Sequence, residues 1–244
     1  MKKNLFTLLM VFGCISLFSA CSSSDKDEVK IDSPIVGRWE LNGQVDKDEL
    51  IESPVFLVWE KKDNVAEKDF ILNIGMNLPI PTVASMGEAV AGAQLMNLLK
   101  SVMFDESGNI TAIYKDIEGD KWLTSPKGLA SYTISNSVLK LSLNADKIIS
   151  EAGITDQAIQ KTLKDYLSEP YLIKYRLDGD DLACYIDLEF VTKNLDSLLE
   201  TIDSLTDEQY DSIGGKDFIQ NIAKQLPNLF EKTKKFEFGI KFKR

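Results

Sequence analysis

The stretch Ile35-Val36-Gly37-Arg38-Trp39-Glu40-Leu41 decides the fold of this chain. Its isoleucine, glycine, tryptophan and leucine occupy every second position, with valine, arginine and glutamate between them. Because successive side chains of a strand point to opposite faces, this alternation predicts a half-buried β-strand. The stretch Phe236-Glu237-Phe238-Gly239-Ile240-Lys241-Phe242 has the same pattern near the other end of the chain, and a one-residue slip there would expose every phenylalanine. Both ends of the folded region are therefore predicted to be strands of firmly set register.

Short apolar and alternating runs between these two strands predict an antiparallel β architecture. Loops rich in glycine, aspartate, asparagine and serine separate several of them, which is typical of hairpins. About ten strands are predicted, at residues 35–41, 55–59, 70–74, 102–104, 110–114, 132–134, 138–143, 171–177, 182–190 and 236–242. Closure removes the exposed edges of such a sheet. We therefore expect a mainly β fold with helical insertions, built as an antiparallel β-barrel or a strongly curled sheet.

Three regions interrupt the strands with helical spacing. They are residues 85–100, residues 154–167, and a long region from Leu195 to Pro227. Within the third region, Thr206-Asp207-Glu208-Gln209 has the spacing of a capping box, which predicts the start of a short helix. Proline lacks the backbone N–H that a helix interior needs, so Pro227 is expected to kink or end the last helix.

A family resemblance rests on short motifs spread over most of the chain. These motifs resemble the Gly-x-Trp opening strand of lipocalins and other calycin-like barrels, and the meander of lipocalin-like lipoproteins from Bacteroides-type bacteria. They are Ile35–Leu41, Phe104-Asp105-Glu106-Ser107-Gly108, Trp122, Tyr132–Ile134 and Leu139–Leu141. The resemblance implies a barrel in which Trp39 plugs one end and has a structural role. Families of this kind mostly have no assigned activity, so the resemblance implies a fold and no substrate.

The first 21 residues resemble the signal and lipobox of bacterial lipoproteins. Lys2 and Lys3 precede an uncharged apolar run, which ends in Leu17-Phe18-Ser19-Ala20-Cys21. This run is too short to span a bilayer as a helix, but it has the length of a signal-peptide core. We expect a lipoprotein signal peptide over residues 1–20, lipid attachment at Cys21, a flexible tether over 21–33 and a lipocalin-like domain over 34–244. The alternative is an ordinary cleaved signal with an incidental cysteine.

The predicted tether contains a candidate export signal. Lys26-Asp27-Glu28, so soon after Cys21, resembles the acidic export signal of surface lipoproteins in Bacteroides-type bacteria. It implies an outer-membrane lipoprotein that is exposed at the cell surface and held to the membrane through its lipid anchor. The alternative is a solvated linker with no address in it.

Composition excludes several classes of function. The chain has no histidine, which excludes Ser-His-Asp and Cys-His catalysis and histidine-rich metal sites. Its formal net charge is −10, and removal of residues 1–20, which carry two lysines and no acid, makes it −12. Such a charge repels phosphate backbones, so we expect no nucleic-acid partner. We also expect no catalytic residue, no metal and no cofactor, and we interpret Cys184 as a small buried apolar residue.

The methionines that follow the signal are confined to one segment. Met76, Met86, Met96 and Met103 lie among glycine, alanine and leucine residues. Methionine is flexible and polarizable, which suits an adaptable apolar surface. The segment therefore predicts a mobile cover over an apolar ligand in the barrel, and the alternative is a helix packed as ordinary core.

Carboxylates beside Trp122 indicate a second kind of site. Asp116, Glu118 and Asp120 shortly precede this tryptophan. An indole stacks on a sugar face while carboxylates accept bonds from its hydroxyls, and two carboxylates at a suitable separation hydrolyse glycosides. A solvated acidic turn beside a core tryptophan is the alternative.

Three hypotheses for the function follow from these observations. The leading one is a lipid-anchored, non-enzymatic envelope protein that binds a small apolar or amphipathic ligand in a barrel cavity. The second is a carbohydrate-binding accessory protein on the cell surface, with Trp59 and Trp122 as its candidate rings. The third is a hydrolase that uses carboxylates alone.

Overall fold

The computed structural model describes residues 31–47, 49–116, 121–212 and 215–244. The strands in this part are β1 (Gly37–Leu41), β2 (Gln44–Asp46), β3 (Glu49–Glu52), β4 (Val55–Lys61), β5 (Ile71–Asn73), β6 (Asn77–Pro79), β7 (Leu99–Phe104), β8 (Asn109–Lys115), β9 (Trp122–Thr124), β10 (Ala130–Ser135), β11 (Val138–Leu143), β12 (Tyr171–Asp178), β13 (Asp181–Asp187) and β14 (Thr233–Lys243). The helices are α1 (Ile80–Leu98), α2 (Ala145–Glu151), α3 (Gln157–Leu167), α4 (Leu188–Asp203), α5 (Asp207–Ser212) and α6 (Lys216–Glu231). The predicted signal peptide, Cys21 and nearly all of the predicted tether lie outside the described residues.

Eight antiparallel strands close into a barrel. Their order is β1, β7, β8, β10, β11, β12, β13 and β14, and β14 pairs back to β1. The closing register places Glu40 opposite Lys243 and Leu41 opposite Phe242. The strand β9 pairs with β8, and β4 continues the sheet beside β14. The expected mainly β fold with an antiparallel barrel is therefore confirmed, and both strands with the clearest alternation form its closing seam.

The chain forms two compact units. The first contains the chain up to Pro54 together with Gly92–Tyr185 and Ile240–Arg244, and it holds most of the barrel. The second contains Val55–Ala91 and Ile186–Gly239. The predicted domain over residues 34–244 includes both units.

Two apolar clusters form the core of the barrel unit. One consists of buried residues from β1, β7, β10, β11, β13 and β14 and from the segment before β1: Ile35, Trp39, Leu41, Leu99, Phe104, Tyr132, Leu139, Leu182 and Phe242. The other joins β11 to the two short helices through Leu141, Leu143, Ile148 of α2 and Leu167 of α3. Half-buried Ile110 and Ile173 pack against both clusters.

Aromatic packing organises the second unit. Trp59 of β4 stacks on Phe230 at 5.3 Å between ring centroids, and Phe70 and Phe236 contact it edge-on. The Trp59 indole N–H donates to Thr233 Oγ1 at 2.8 Å. Both the ring and the indole N–H of Trp59 thus have their partners inside this unit, so Trp59 has a structural role.

The structure corrects the predicted end of β13. We expected this strand to run to Phe190, but it ends at Asp187 and α4 begins at Leu188. The Asp187 carboxylate accepts a hydrogen bond from the Phe190 N–H at 3.1 Å, which makes it the N-cap of the helix. Alternation of Leu188 and Phe190 fitted a strand, but the cap and the apolar positions that follow favour the helix.

The ends of the helices also differ from those predicted. Helix α1 starts at Ile80 instead of residue 85, and it stops at Leu98 because Leu99 already belongs to β7. The missing N–H of Pro81 costs nothing in the first turn of a helix. Helix α6 continues past Pro227 to Glu231. Helix α3 begins at Gln157 instead of the predicted residue 154.

Candidate functional site

The inner wall of β12 and β13 is the candidate site. Leu177 lies opposite Leu182, and Tyr175 lies opposite Cys184. Ile173 lies opposite Leu139, so these side chains share the face that contains buried Leu139 and Leu182. That face points to the barrel core.

The side chains of this wall are incompletely covered. Leu182 is 1% exposed, whereas Ile173, Tyr175, Leu177 and Cys184 are half-buried although they pack against the same core cluster. These four side chains are therefore less completely covered than Leu182, although all of them belong to the inward face. We call Ile173, Tyr175, Leu177 and Cys184 the inner wall.

The Cys184 sulfur lies in apolar surroundings, although the residue as a whole is half-buried. Burial raises its pKa to about 12, so the thiol stays protonated at neutral pH. A protonated thiol is a poor nucleophile and a poor metal ligand. Cys184 is a free cysteine in the structure and contributes a small, soft side chain to the inner wall.

Trp39 and Arg244 contact each other beside the start of β1. Trp39 is fully buried, and its indole N–H donates to the Ile35 carbonyl at 2.7 Å. The Arg244 guanidinium lies 4.4 Å from the centroid of the Trp39 ring, and its Nη2 donates to the carbonyls of Pro34 and Val36. Trp39 is therefore a buried core residue that the Arg244 guanidinium covers, and its role as a plug at one end of the barrel stays a prediction.

The turn between β7 and β8 holds a carboxylate with several hydrogen bonds. Asp105 accepts hydrogen bonds from the Ser107 and Asn109 N–H groups, and Lys127 Nζ lies 3.2 Å from it. Burial by itself would raise the pKa of Asp105, but the bonds from Asn109 and Lys127 together hold it below its usual value. Burial, aided by the Asp105 charge, raises the pKa of Tyr132 to about 12. The Tyr132 hydroxyl donates to the Asp105 carbonyl, so this cluster fixes the hairpin.

The predicted methionine site is spread over several surfaces. Met96 packs against the barrel core. Met103 is 39% exposed and pairs with Arg38, on the opposite face of β7 from buried Phe104. Met76 and Met86 belong to the second unit and are 64% and 56% exposed. Of the two methionines that the structure describes in the barrel unit, Met96 faces the apolar interior and Met103 does not.

Trp122 is an exposed indole beside the tip of the β8–β9 hairpin. It is 43% exposed and pairs with Lys115, and its neighbour Leu123 is 40% exposed. Asp116 accompanies it near the tip, where its N–H donates to the Lys121 carbonyl. Glu118 and Asp120 lie outside the described residues, so their part in the predicted acidic cluster stays a prediction.

Sequence reasoning missed two parts of this arrangement. Arg244 has no local motif, because its partners Pro34 and Val36 are more than 200 residues away in sequence. The inner wall was predicted as ordinary strand, and its alternation did signal which side chains point inward. What the alternation did not signal is that they stay accessible.

Comparison of the chain with protein-family models, curated proteins and solved structures finds no match. Over the described residues, no three side chains of aspartate, glutamate or cysteine converge as a metal-binding group. None of the helices in that part of the chain has the length and apolar character to cross a membrane.

Proposed function

We propose that this chain is a lipid-anchored envelope protein, without enzymatic activity, whose barrel binds a small apolar or amphipathic ligand. The observation that carries the proposal is the half-buried inner wall of β12 and β13. Barrels of eight strands have interiors wide enough either to be filled by side chains or to hold one small ligand. Accessible apolar side chains on the inward face favour the second arrangement.

The chemistry of the inner wall indicates the class of ligand. Ile173, Leu177 and Cys184 offer apolar surface, and each methylene group that a ligand buries there would contribute about 0.8 kcal/mol. Tyr175 adds a hydroxyl to this surface, and tyrosine commonly combines an apolar ring with one hydrogen bond. An apolar chain with a single polar group would match both features.

The cellular site belongs to the same proposal. A lipid on Cys21 would hold the domain at the outer membrane, and the acidic tether supports display at the cell surface. A single acyl chain binds membranes only marginally, so stable anchoring requires the multiple chains that bacterial lipoproteins are expected to carry.

Filling the inner wall tests ligand binding. Cys184→Leu adds bulk on the inward face, while Ala183→Leu adds similar bulk on the outward face, where Ala183 lies opposite Arg176. In a filled core an insertion of this kind costs about 1–3 kcal/mol, but beside open space it costs little. We expect Cys184→Leu to fold with near wild-type stability and to lose binding of a dansylated fatty acid, while Ala183→Leu keeps it. Strong destabilisation by Cys184→Leu, with no probe binding by the wild type, would contradict the proposal.

Carbohydrate binding is the second candidate, and the exposure of Trp122 favours it. An indole with 43% of its surface free has a face available for a sugar ring. Trp122→Ala should then abolish retardation in gels that contain soluble glycans, while Leu123→Ala should leave it unchanged. Equal migration of wild type and Trp122→Ala across a panel of glycans would reject this candidate.

A further inference from the structure

The solvent-facing side of helix α1 carries no charge. The helix spans nineteen residues, and Glu88 is its one ionisable side chain. Glu88 is half-buried, and its Oε1 accepts a hydrogen bond from the Leu57 N–H at 2.6 Å. The exposed residues of α1 in the second unit are Pro81, Thr82, Ser85, Met86, Gly87, Ala89 and Val90. Surface helices normally place charged side chains on this side, and 27% of the chain is charged, so the absence is unusual.

The centre of this face is apolar. Met86 is 56% exposed and Val90 is 60% exposed. Residues four positions apart lie on the same side of a helix, so these two side chains form one exposed patch with Ala89 beside it. We call Met86, Ala89 and Val90 the α1 patch. A partner that binds the α1 patch would therefore need an apolar, uncharged surface.

The chain that precedes the described residues indicates which partner lies within reach. Ile31 follows Cys21 by ten residues, and a chain of that length spans at most about 36 Å when fully extended. A lipid on Cys21 would therefore keep the folded part close to the bilayer. The net charge of −12 that remains after residues 1–20 repels anionic surfaces, so an uncharged face such as that of α1 approaches a membrane at a lower electrostatic cost than an acidic face.

We propose that the α1 patch rests in the interfacial layer of the membrane that carries the Cys21 anchor. This inference relies on the proposed lipidation and adds a second, weaker contact to it. An apolar side chain gains about 25 cal/mol per Å² when it leaves water, so contacts of this size orient an anchored protein without holding it alone. The second unit would then be held against the membrane through this face of α1.

Spin labels on the mature lipidated protein test this orientation. In a Cys184→Ala background, one nitroxide is attached through Val90→Cys and a control nitroxide through Lys161→Cys, an exposed position of α3. Both proteins are placed in phosphatidylcholine vesicles, and collisions of each label with oxygen and with a water-soluble nickel chelate are measured. Oxygen concentrates in apolar surroundings, so we expect the ratio of oxygen to nickel collisions to be severalfold higher at position 90 than at 161. Adding Met86→Asp to the Val90→Cys protein should lower the ratio toward that of the control.

Each other outcome overturns the inference in a different way. Equal ratios at the two positions, on protein that floats with the vesicles, would show an anchored domain whose α1 patch faces water. Dipolar broadening between labels at position 90 would show that a second copy of the chain covers the patch. Mature protein without a lipid on Cys21 would refute the anchor itself, and this result is distinguished by the mass of the protein before vesicles are added.

Discussion

Arg244→Ala should destabilise the barrel by removing the group that covers Trp39. The guanidinium lies 4.4 Å from the ring centroid, and a cation–π contact of this kind contributes about 1 kcal/mol. Its Nη2 also donates to the Pro34 and Val36 carbonyls at 2.6 and 2.9 Å. Because Arg244 is exposed, we assign about 1 kcal/mol to the two bonds together. The free energy of unfolding should therefore fall by about 2 kcal/mol.

Urea unfolding followed by tryptophan fluorescence measures this loss. Lys243→Ala is the matched control, because Lys243 is the exposed last residue of β14, next to Arg244 in sequence, and its loss should change stability by no more than about 0.5 kcal/mol. Arg244→Lys should recover part of the loss, since an ammonium retains the charge but lacks the planar fork that reaches two carbonyls. If Arg244→Ala and Lys243→Ala unfold at the same urea concentration, the guanidinium does not stabilise the fold by covering Trp39.

Three further predictions concern the seam, the thiol and the anchor. Phe242 is 5% exposed, so Phe242→Asp places an unpaired charge in the core, which should cost several kcal/mol and prevent folding. Lys243→Asp should give a soluble protein with a near wild-type melting temperature. Equal behaviour of the two variants would refute the assigned register. Folding raises the pKa of the Cys184 thiol from 9.0 to about 12, so above pH 9 the thiol ionises in the unfolded chain but not in the folded one. Between pH 9 and 12 the wild type should therefore lose up to about 1.4 kcal/mol of stability per pH unit relative to Cys184→Ala. Parallel stability profiles of the two proteins against pH would contradict this. Cys21→Ala should abolish metabolic labelling with a fatty-acid analogue, and labelling as strong as in wild type would reject the lipoprotein interpretation.

Alternation predicted most of the barrel because it reports the face on which a side chain lies. It located β1 and β14 and the hairpin arms, and Asn136 and Ser137 adopt the positive φ angles of the predicted tight turn between β10 and β11. It failed where local capping decides the structure. Asp187 starts α4, and Asn144 accepts a bond from the Lys147 N–H to start α2, a helix that was not predicted.

The candidate site was less predictable than the fold. Proximity of methionines in the sequence suggested one shared surface, but neighbouring positions of a strand face opposite sides, and Met103 lies outside while Phe104 lies inside. Alternation does identify Tyr175 and Cys184 as inward-facing. Whether an inward side chain is fully covered depends on what all the opposing strands contribute, and no local pattern carries that information.

Native mass spectrometry of the mature protein from its own host measures whether a ligand occupies the barrel. We predict a non-covalent adduct of low mass that dissociates on collisional activation, and that is absent from Cys184→Leu but present on Ala183→Leu. Detection of each of the three proteins at its own lipid-modified mass, with no adduct before or after addition of an apolar ligand, would show that the inner wall binds nothing.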